Sequence, residues 1–280
     1  MGKYIRLLRL TDHYFEITAV TAAGLFVRER STTILFWISA VVFLGFAAFI
    51  LNEITDRSDT DKLSWNSVHI RATDVLDARI VSILFILCSL AGLYLSFLAG
   101  LVWWGMAIYI IAILYSLKPI RFKGIFGLDL ASQMAATWIL PFLAPVWGVA
   151  NNDMTIAFII ITSVAVLGAA FPYQIADIEG DQKAGLHSTH VVLGVDASLR
   201  LGLILAIIAA ILYLIFGMYM WASFTIPGVI FLPIMYLFYG IWISLRGRQQ
   251  QLLAIQQGVR VVKFLTQIGA IYLFILWILI

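Results

Sequence analysis

Apolar runs long enough to cross a bilayer core as helices recur along the whole chain, separated by short polar breaks. The pattern predicts spans at about 13–27, 32–53, 76–98, 100–116, 128–149, 155–176, 198–218, 222–245 and 261–280. The longest polar stretches run to only about twenty residues, which leaves no room for a separate water-soluble domain. The expected fold is therefore an all-α integral membrane protein, one bundle of nine transmembrane helices over residues 1–280. The shortest span, 13–27, carries Glu16 and Thr18. A carboxylate within a span faces the bundle interior, so Glu16 is either a structural group or a substrate-facing one. The basic segment Met1–Arg9 precedes an apolar run as in a signal peptide. That run has no clean small-residue cleavage site and leads into Arg28-Glu29-Arg30, so it reads as a retained first span.

Charge placement sets the expected orientation. Of 18 Lys and Arg, all but Arg28 and Arg30 fall in the N-terminal tail, the alternate loops or the adjoining span ends. Those loops lie near 54–75, 117–127, 177–197 and 246–260. Short loops rich in Lys and Arg stay cytoplasmic, which predicts N-terminus in and C-terminus out. Turns on the other side, such as Asn151-Asn152-Asp153, are short and nearly uncharged.

At 62% apolar and 12% charged, the chain departs from soluble domains, which run at roughly 45–50% and 25%. A net charge of +3 carries no nucleic-acid signal, and the expected surroundings are lipid. Cys88 is the single cysteine and sits in an apolar run, so no disulfide forms within the chain and no Cys/His metal spacing exists.

The scarce acids are not scattered. Seven of the fifteen lie in two segments, Asn52–Asp61 and Asp177–Asp181, each directly after a long apolar run. Carboxylates gathered at a membrane surface need a cationic partner, and a divalent metal is a common one. Laying Asn52–Asp61 over Tyr173–Gln182 matches Ile54 with Ile175 and Asp56 with Asp177, and sets Thr60 opposite Asp181. Related elements in two halves commonly frame a site where the halves meet.

Residues four apart share a helix face, so Asn52 and Asp56 point the same way, with Asp59 reachable at the next turn; Asp177 and Asp181 do likewise. Two such faces across a cavity supply hard oxygen ligands of the kind Mg²⁺ takes alongside substrate phosphates. The loop Tyr115-Ser116-Leu117-Lys118-Pro119-Ile120-Arg121-Phe122-Lys123 supplies the complement, and Lys183 adds a cation after the second acidic segment. Arg grips phosphate oxygens bidentately and Lys acts as a point charge. Acids, metal and cations at one membrane face suggest a diphosphate on a lipid tail. Its departure would leave a carbocation that aromatic faces attract, and 9 Trp, 11 Tyr and 19 Phe are available, among them Tyr115, Phe171 and Tyr173.

These segments resemble the UbiA superfamily of intramembrane prenyltransferases. Asp177-Ile178-Glu179-Gly180-Asp181-Gln182-Lys183-Ala184-Gly185 with Val191-Val192-Leu193-Gly194 resembles its second aspartate motif and following loop. Tyr115-Ser116, Pro119, Arg121 and Lys123 resemble its basic loop, and Asn52 and Asp56 the start of its first motif. The resemblance implies Mg²⁺ held by Asn52, Asp56, Asp59, Asp177 and Asp181, with Asp56, Asp177 and Asp181 catalytic. It implies a polyprenyl diphosphate held by Tyr115, Lys118, Arg121, Lys123, Lys183 and Arg71, and transfer to a hydrophobic aromatic or isoprenoid-lipid acceptor. The chain departs from the pattern in places. Glu53 fills the acid after Asn52, Thr60 stands where a final Asp is expected, so Asp59 or Asp61 substitutes, and Lys62 is an alternative to Arg71. Tyr173 and Gln174 replace an Asn-Asp pair, and Lys118 a common Pro; His69, His187 and His190 are candidate proton acceptors.

Two other functions compete. A terpene cyclase of the same fold would ionise the diphosphate and capture the cation internally. A transporter or lipid-binding protein would place ionisable groups near mid-span, whereas here, Glu16 apart, they gather at span ends.

Overall fold

The computed structural model of the chain describes residue 8, residues 13–27, 31–56, 77–148, 152–175 and 177–220, and isolated residues between 267 and 278. Among these residues regular structure is helical, with one isolated bridge between Ile125 and His187. The helices are α1 (Tyr14–Val27), α2 (Thr32–Asp56), α3 (Ala78–Leu98), α4 (Val102–Ser116), α5 (Leu128–Met134), α6 (Leu140–Val146), α7 (Asn152–Ile175), α8 (Ile178–Lys183) and α9 (Thr189–Met220). A π turn, Ala135–Ile139, joins α5 to α6. Thr32–Asp56, Ala78–Leu98 and Thr189–Tyr213 are long and apolar enough to cross a membrane, while Glu16–Leu25, Val102–Ser116 and Thr155–Gly168 are shorter apolar helices.

Helices thus stand where the first seven spans are expected, with two differences. The element expected at 198–218 is already helical from Thr189 and kinks at Gly194, whose φ of 76° only glycine adopts without strain. The element expected at 128–149 is broken by the π turn ahead of Pro141. The span expected at 222–245 lies outside the described residues, as does most of that at 261–280.

α2 is the central helix. Its Trp37, Ile34, Leu44 and Ile50 are fully buried, and it packs along α3 and against α1 and α4. Small residues let these helices close on one another, as lipid-embedded bundles require. A Cβ added to Gly92 of α3 would lie 2.7 Å from Leu44 Cγ, and one on Gly105 of α4 would lie 2.2 Å from Ser96 Oγ of α3. The pairing of α7 with α9 repeats the device: a Cβ on Gly168 would sit 3.2 Å from the Ala206 backbone nitrogen. The opposite face of α3 exposes Ile83, Leu87, Leu90, Tyr94 and Phe97 at three- and four-residue spacing, a lipid-facing stripe.

Backbone groups freed inside the bundle are satisfied locally. Pro145 lies within α6 and has no N–H for the carbonyl four residues back. That carbonyl, on Pro141, accepts the Trp37 indole N–H at 2.9 Å, which ties α2 to α6. Trp138, in the π turn, donates to Thr162 Oγ1 of α7 at 2.8 Å.

Candidate active site

The charged residues converge where α2 ends. Asp56, its last residue, is 2% exposed, and both carboxylate oxygens are engaged. Oδ1 accepts from Arg121 Nη2 at 2.6 Å and Oδ2 from Lys123 Nζ at 2.5 Å. The same Lys123 ammonium lies 4.0 Å from Asp181 Oδ1, so one cation spans the first and second acidic segments. Asp181 Oδ2 accepts from Ser188 Oγ at 3.3 Å. Tyr115, partly buried at the end of α4, feels the charges of Lys123, Asp56, Asp181 and Asp129.

Electrostatics follow from this crowding. The Asp181 carboxyl is raised to about 6, chiefly by burial, with Lys123 pulling it down, the Asp177 and Asp56 carboxylates adding to the rise and the Ser188 hydrogen bond opposing it. For Lys123 burial acts downward, but Asp56 and Asp181 outweigh it and hold the ammonium well above its usual range. Lys123 is therefore a fixed positive charge between two acids.

The loop carrying these cations is anchored from a distance. Asp129, at the start of α5, is 1% exposed and accepts from Thr189 N at 2.8 Å and from the Thr189 hydroxyl. Thr189 Oγ1 in turn accepts from Gly127 N at 2.9 Å, and His187 N donates to Gly124 O at 3.1 Å. A Cβ on Gly124 would sit 2.9 Å from Leu186 Cδ2, so the two loops touch. The basic loop is thereby fastened to the loop that follows Asp181. Within it Arg121 takes a left-handed φ of 36°, which costs about 1–2 kcal/mol and is offset by its ion pair with Asp56. Asp129, Ser188 and Thr189 were not legible as functional residues in the sequence; the available signal was an acid, Asp129, at the mouth of an apolar run.

The remaining expected residues distribute as follows. Asn52 lies one turn before Asp56, and its Oδ1 is buried without a hydrogen-bond partner. Asp177 stands at the residue before α8, with no capping hydrogen bond from its side chain, and is exposed, whereas Asp181 one turn on is buried. Lys183 donates to Glu179 Oε1 at 2.7 Å in a half-exposed pair along α8, so it points along that helix. Lys118 is exposed at the rim. His187 is exposed, and His190 is buried against Phe171 at 4.8 Å with both ring nitrogens unpartnered. Asp59, Asp61, Lys62, His69 and Arg71 lie outside the described residues.

The donor set fits Mg²⁺. Among the described residues no three Asp, Glu, His or Cys converge as a ready-made metal cage. Mg²⁺ needs none, since it is held by one or two carboxylates together with substrate phosphates and water. Asp56, Asp181 and the orphaned Asn52 carbonyl are hard oxygen donors, and the ammonium between the acids shows that their gap draws a cation.

The profile of the UbiA prenyltransferase family matches residues 17–279. The chain belongs to this family. A UbiA homolog from Archaeoglobus fulgidus bound to DMAPP and Mg²⁺ superposes with a TM-score of 0.73 at 20% identity, covering 97% of this chain and 99% of that one. The apo UbiA homolog from Aeropyrum pernix K1 gives 0.63 at 18%, covering 95% and 96%. A digeranylgeranylglyceryl phosphate synthase gives 0.63 at 16%, covering 97% of both chains. At these identities the likeness shows a shared UbiA fold over essentially the whole chain. No curated protein matches the chain. The UbiA family and the apolar helices mark an integral membrane protein.

Proposed function

We propose that this UbiA-family protein transfers a prenyl group from a polyprenyl diphosphate to a hydrophobic aromatic or isoprenoid-lipid acceptor, with release of diphosphate, in a Mg²⁺-dependent reaction at the cytoplasmic membrane face. One observation carries the reading: Lys123 reaches Asp56 and Asp181, residues of the two separate acidic segments, from a third loop that also bears Arg121. A site that gathers acids and cations from three loops is suited to a metal and a polyanion together.

Asn52, Asp56 and Asp181 would hold Mg²⁺, with Asp177 and Asp59 completing the set from the rim. When bound, Mg²⁺ neutralises negative charge on the leaving diphosphate. Arg121 and Lys123 exchange their contacts to Asp56 for diphosphate oxygens, and the fixed charge on Lys123 opposes the charge that develops as the carbon–oxygen bond breaks. Tyr115 sits within this charge cluster and orients the diphosphate; Lys118, Lys183 and Arg71 contribute from the rim. The tail extends into the apolar bundle below α2's charged end.

Purified protein is incubated with labelled geranyl, farnesyl and geranylgeranyl diphosphates and a panel of quinone precursors and glycerolipids, with Mg²⁺ or with chelator. Diphosphate release and a prenylated acceptor that both vanish with chelator support the reading. Release of diphosphate with only cyclised hydrocarbon as product would replace it with a cyclase, and no consumption under any condition would remove the enzyme assignment.

A further inference from the structure

Both oxygens of Asp56 are occupied by the chain's own cations. Arg121 Nη2 lies 2.6 Å from Oδ1 and Lys123 Nζ 2.5 Å from Oδ2. Asp56 is the proposed donor to Mg²⁺, and Arg121 and Lys123 are the proposed grips on diphosphate. The binding groups of the two ligands therefore neutralise each other. Asp56 and Arg121 are buried, and only 15% of the Lys123 side chain is exposed. Breaking a buried ion pair from one side strands the other charge where water barely reaches it. Asp56 given up to a metal alone would leave two positive charges unmatched. Arg121 and Lys123 given up to a diphosphate alone would leave the Asp56 carboxylate unmatched. With both ligands present, Asp56 trades its cations for metal, and the cations trade Asp56 for phosphate oxygens.

The basic loop is arranged for this exchange and not for a larger movement. Its far end is fastened by Asp129 to Thr189 and by the Gly124 carbonyl to His187 N. Lys123 therefore stays beside both acidic segments whichever group it pairs with. Its ammonium already lies 4.0 Å from Asp181 Oδ1, a second acid that keeps it partnered as it leaves Asp56. At the near end, Arg121 holds a left-handed φ of 36°, which its bond to Asp56 offsets. Release of that bond lets the backbone relax, and this favours the exchanged arrangement.

We propose that the Asp56–Arg121 and Asp56–Lys123 pairs are a self-inhibiting latch, so that the protein takes Mg²⁺ and diphosphate together and holds either one alone weakly. The latch rests on the prenyl-transfer reading and adds a regulatory contact to it. Such coupling is reciprocal: each ligand raises the affinity for the other by the same factor. Simple bridging of metal and phosphate would also couple them, but it gives no variant a gain. A latch does. Removing the acid frees the cations for diphosphate without metal, and removing a cation frees the acid for metal without diphosphate.

The test is isothermal titration of the full chain in detergent with MgCl₂ and the unreactive geranyl S-thiolodiphosphate. The wild type is expected to bind the thiolodiphosphate about 100-fold tighter in Mg²⁺ than in chelator. In chelator, Asp56→Asn is expected to bind it about 10-fold tighter than wild type does. Asp177→Asn removes the same charge from an exposed position and is expected to change that affinity less than about 3-fold. Without thiolodiphosphate, Arg121→Gln is expected to take Mg²⁺ about 10-fold tighter than wild type, and Lys183→Gln less than about 3-fold tighter. Gains no larger than those of the two charge controls overturn the latch. So does a wild type that binds Mg²⁺ alone as tightly as with thiolodiphosphate. An Asp56→Asn protein that folds only with thiolodiphosphate present supports it, since the stranded cations then need that partner. If Asp56→Asn folds under neither condition, Arg121→Gln, which leaves Lys123 on Asp56, decides the matter. A wild type that does not bind thiolodiphosphate even in Mg²⁺ removes the prenyl-transfer reading itself.

Discussion

Lys123 and Asp181 approach to 4.0 Å across the gap between the basic loop and α8. Burial raises the Asp181 carboxyl and the lysine opposes that rise, and the balance leaves it at about 6 against the ordinary 3.8. A carboxyl raised in the folded state favours folding while protonated, so this contribution is lost as pH rises from about 4 through about 6 in metal-free protein. Mg²⁺ takes the deprotonated carboxylate, so its affinity rises over the same interval. Lys123→Met removes the opposing charge and is expected to move that rise to higher pH. Mg²⁺-induced thermal shifts across pH 5–8, on both proteins, check this; coincident midpoints would show that Lys123 does not act on Asp181.

Asp56→Asn and Asp181→Asn are each expected to lower diphosphate release by about 100-fold or more, because each removes an anionic ligand of the Mg²⁺ that would neutralise the leaving diphosphate. Lys183→Ala is expected to change it less than about 3-fold, since its partner is Glu179 on a half-exposed side of α8. Steady-state assays with labelled geranyl diphosphate compare the three. A Lys183→Ala protein as inactive as Asp181→Asn would place Lys183 on the substrate.

The lock between Asp129 and Thr189 predicts an effect on substrate affinity from residues that need not touch substrate. Asp129→Ala leaves two buried Thr189 donors unpaired, a loss of about 2 kcal/mol or more, and frees the loop bearing Arg121 and Lys123. The KM for prenyl diphosphate is expected to rise about 10-fold with a smaller change in kcat. Thr189→Val should follow Asp129→Ala, and Thr189→Ser should match wild type. Equal damage from Thr189→Ser would mean the methyl, and not the hydroxyl, matters.

Gly92→Ala is expected to destabilise the bundle by about 1–3 kcal/mol, since its Cβ would lie 2.7 Å from Leu44 Cγ and 3.0 Å from the Leu44 backbone nitrogen. Thermal unfolding in detergent measures it, and an unchanged midpoint would show that α2 and α3 are not packed this closely.

The proposed orientation predicts sided labelling. With Cys88 replaced by Ser, Asp153→Cys is expected to react with a membrane-impermeant maleimide added outside intact cells, and Lys118→Cys only after permeabilisation. The reverse pattern would put the site on the other face.

Much of the site was legible because charge is rare in this chain. Asp56, Asp181, Arg121 and Lys123 stand out against apolar flanks, and helical spacing correctly put Asn52 and Asp56 on one side of α2. Other features depend on partners far away in sequence. Asp129 reads as a lone acid entering a span until Thr189, sixty residues on, is seen to bond it. Pro145 announces an orphaned carbonyl, but nothing in the local pattern names Trp37 as the donor that fills it. Lys183 stands next to the second acidic segment, and its four-residue spacing from Glu179 also describes the helix-surface pair that the structure shows. The left-handed Arg121 had no sequence signal, because its strain is compensated by Asp56 on another helix.

The bridge from Ile125 to His187, with the Asp129–Thr189 lock beside it, couples two stretches that lie some sixty residues apart. Recombination between relatives therefore cannot treat them as separate cassettes. A hybrid that imports 117–129 without 184–190 inherits cations hung on a foreign scaffold, whereas moving the two together preserves their fit. Lineages diverging in what they prenylate should change these segments in concert.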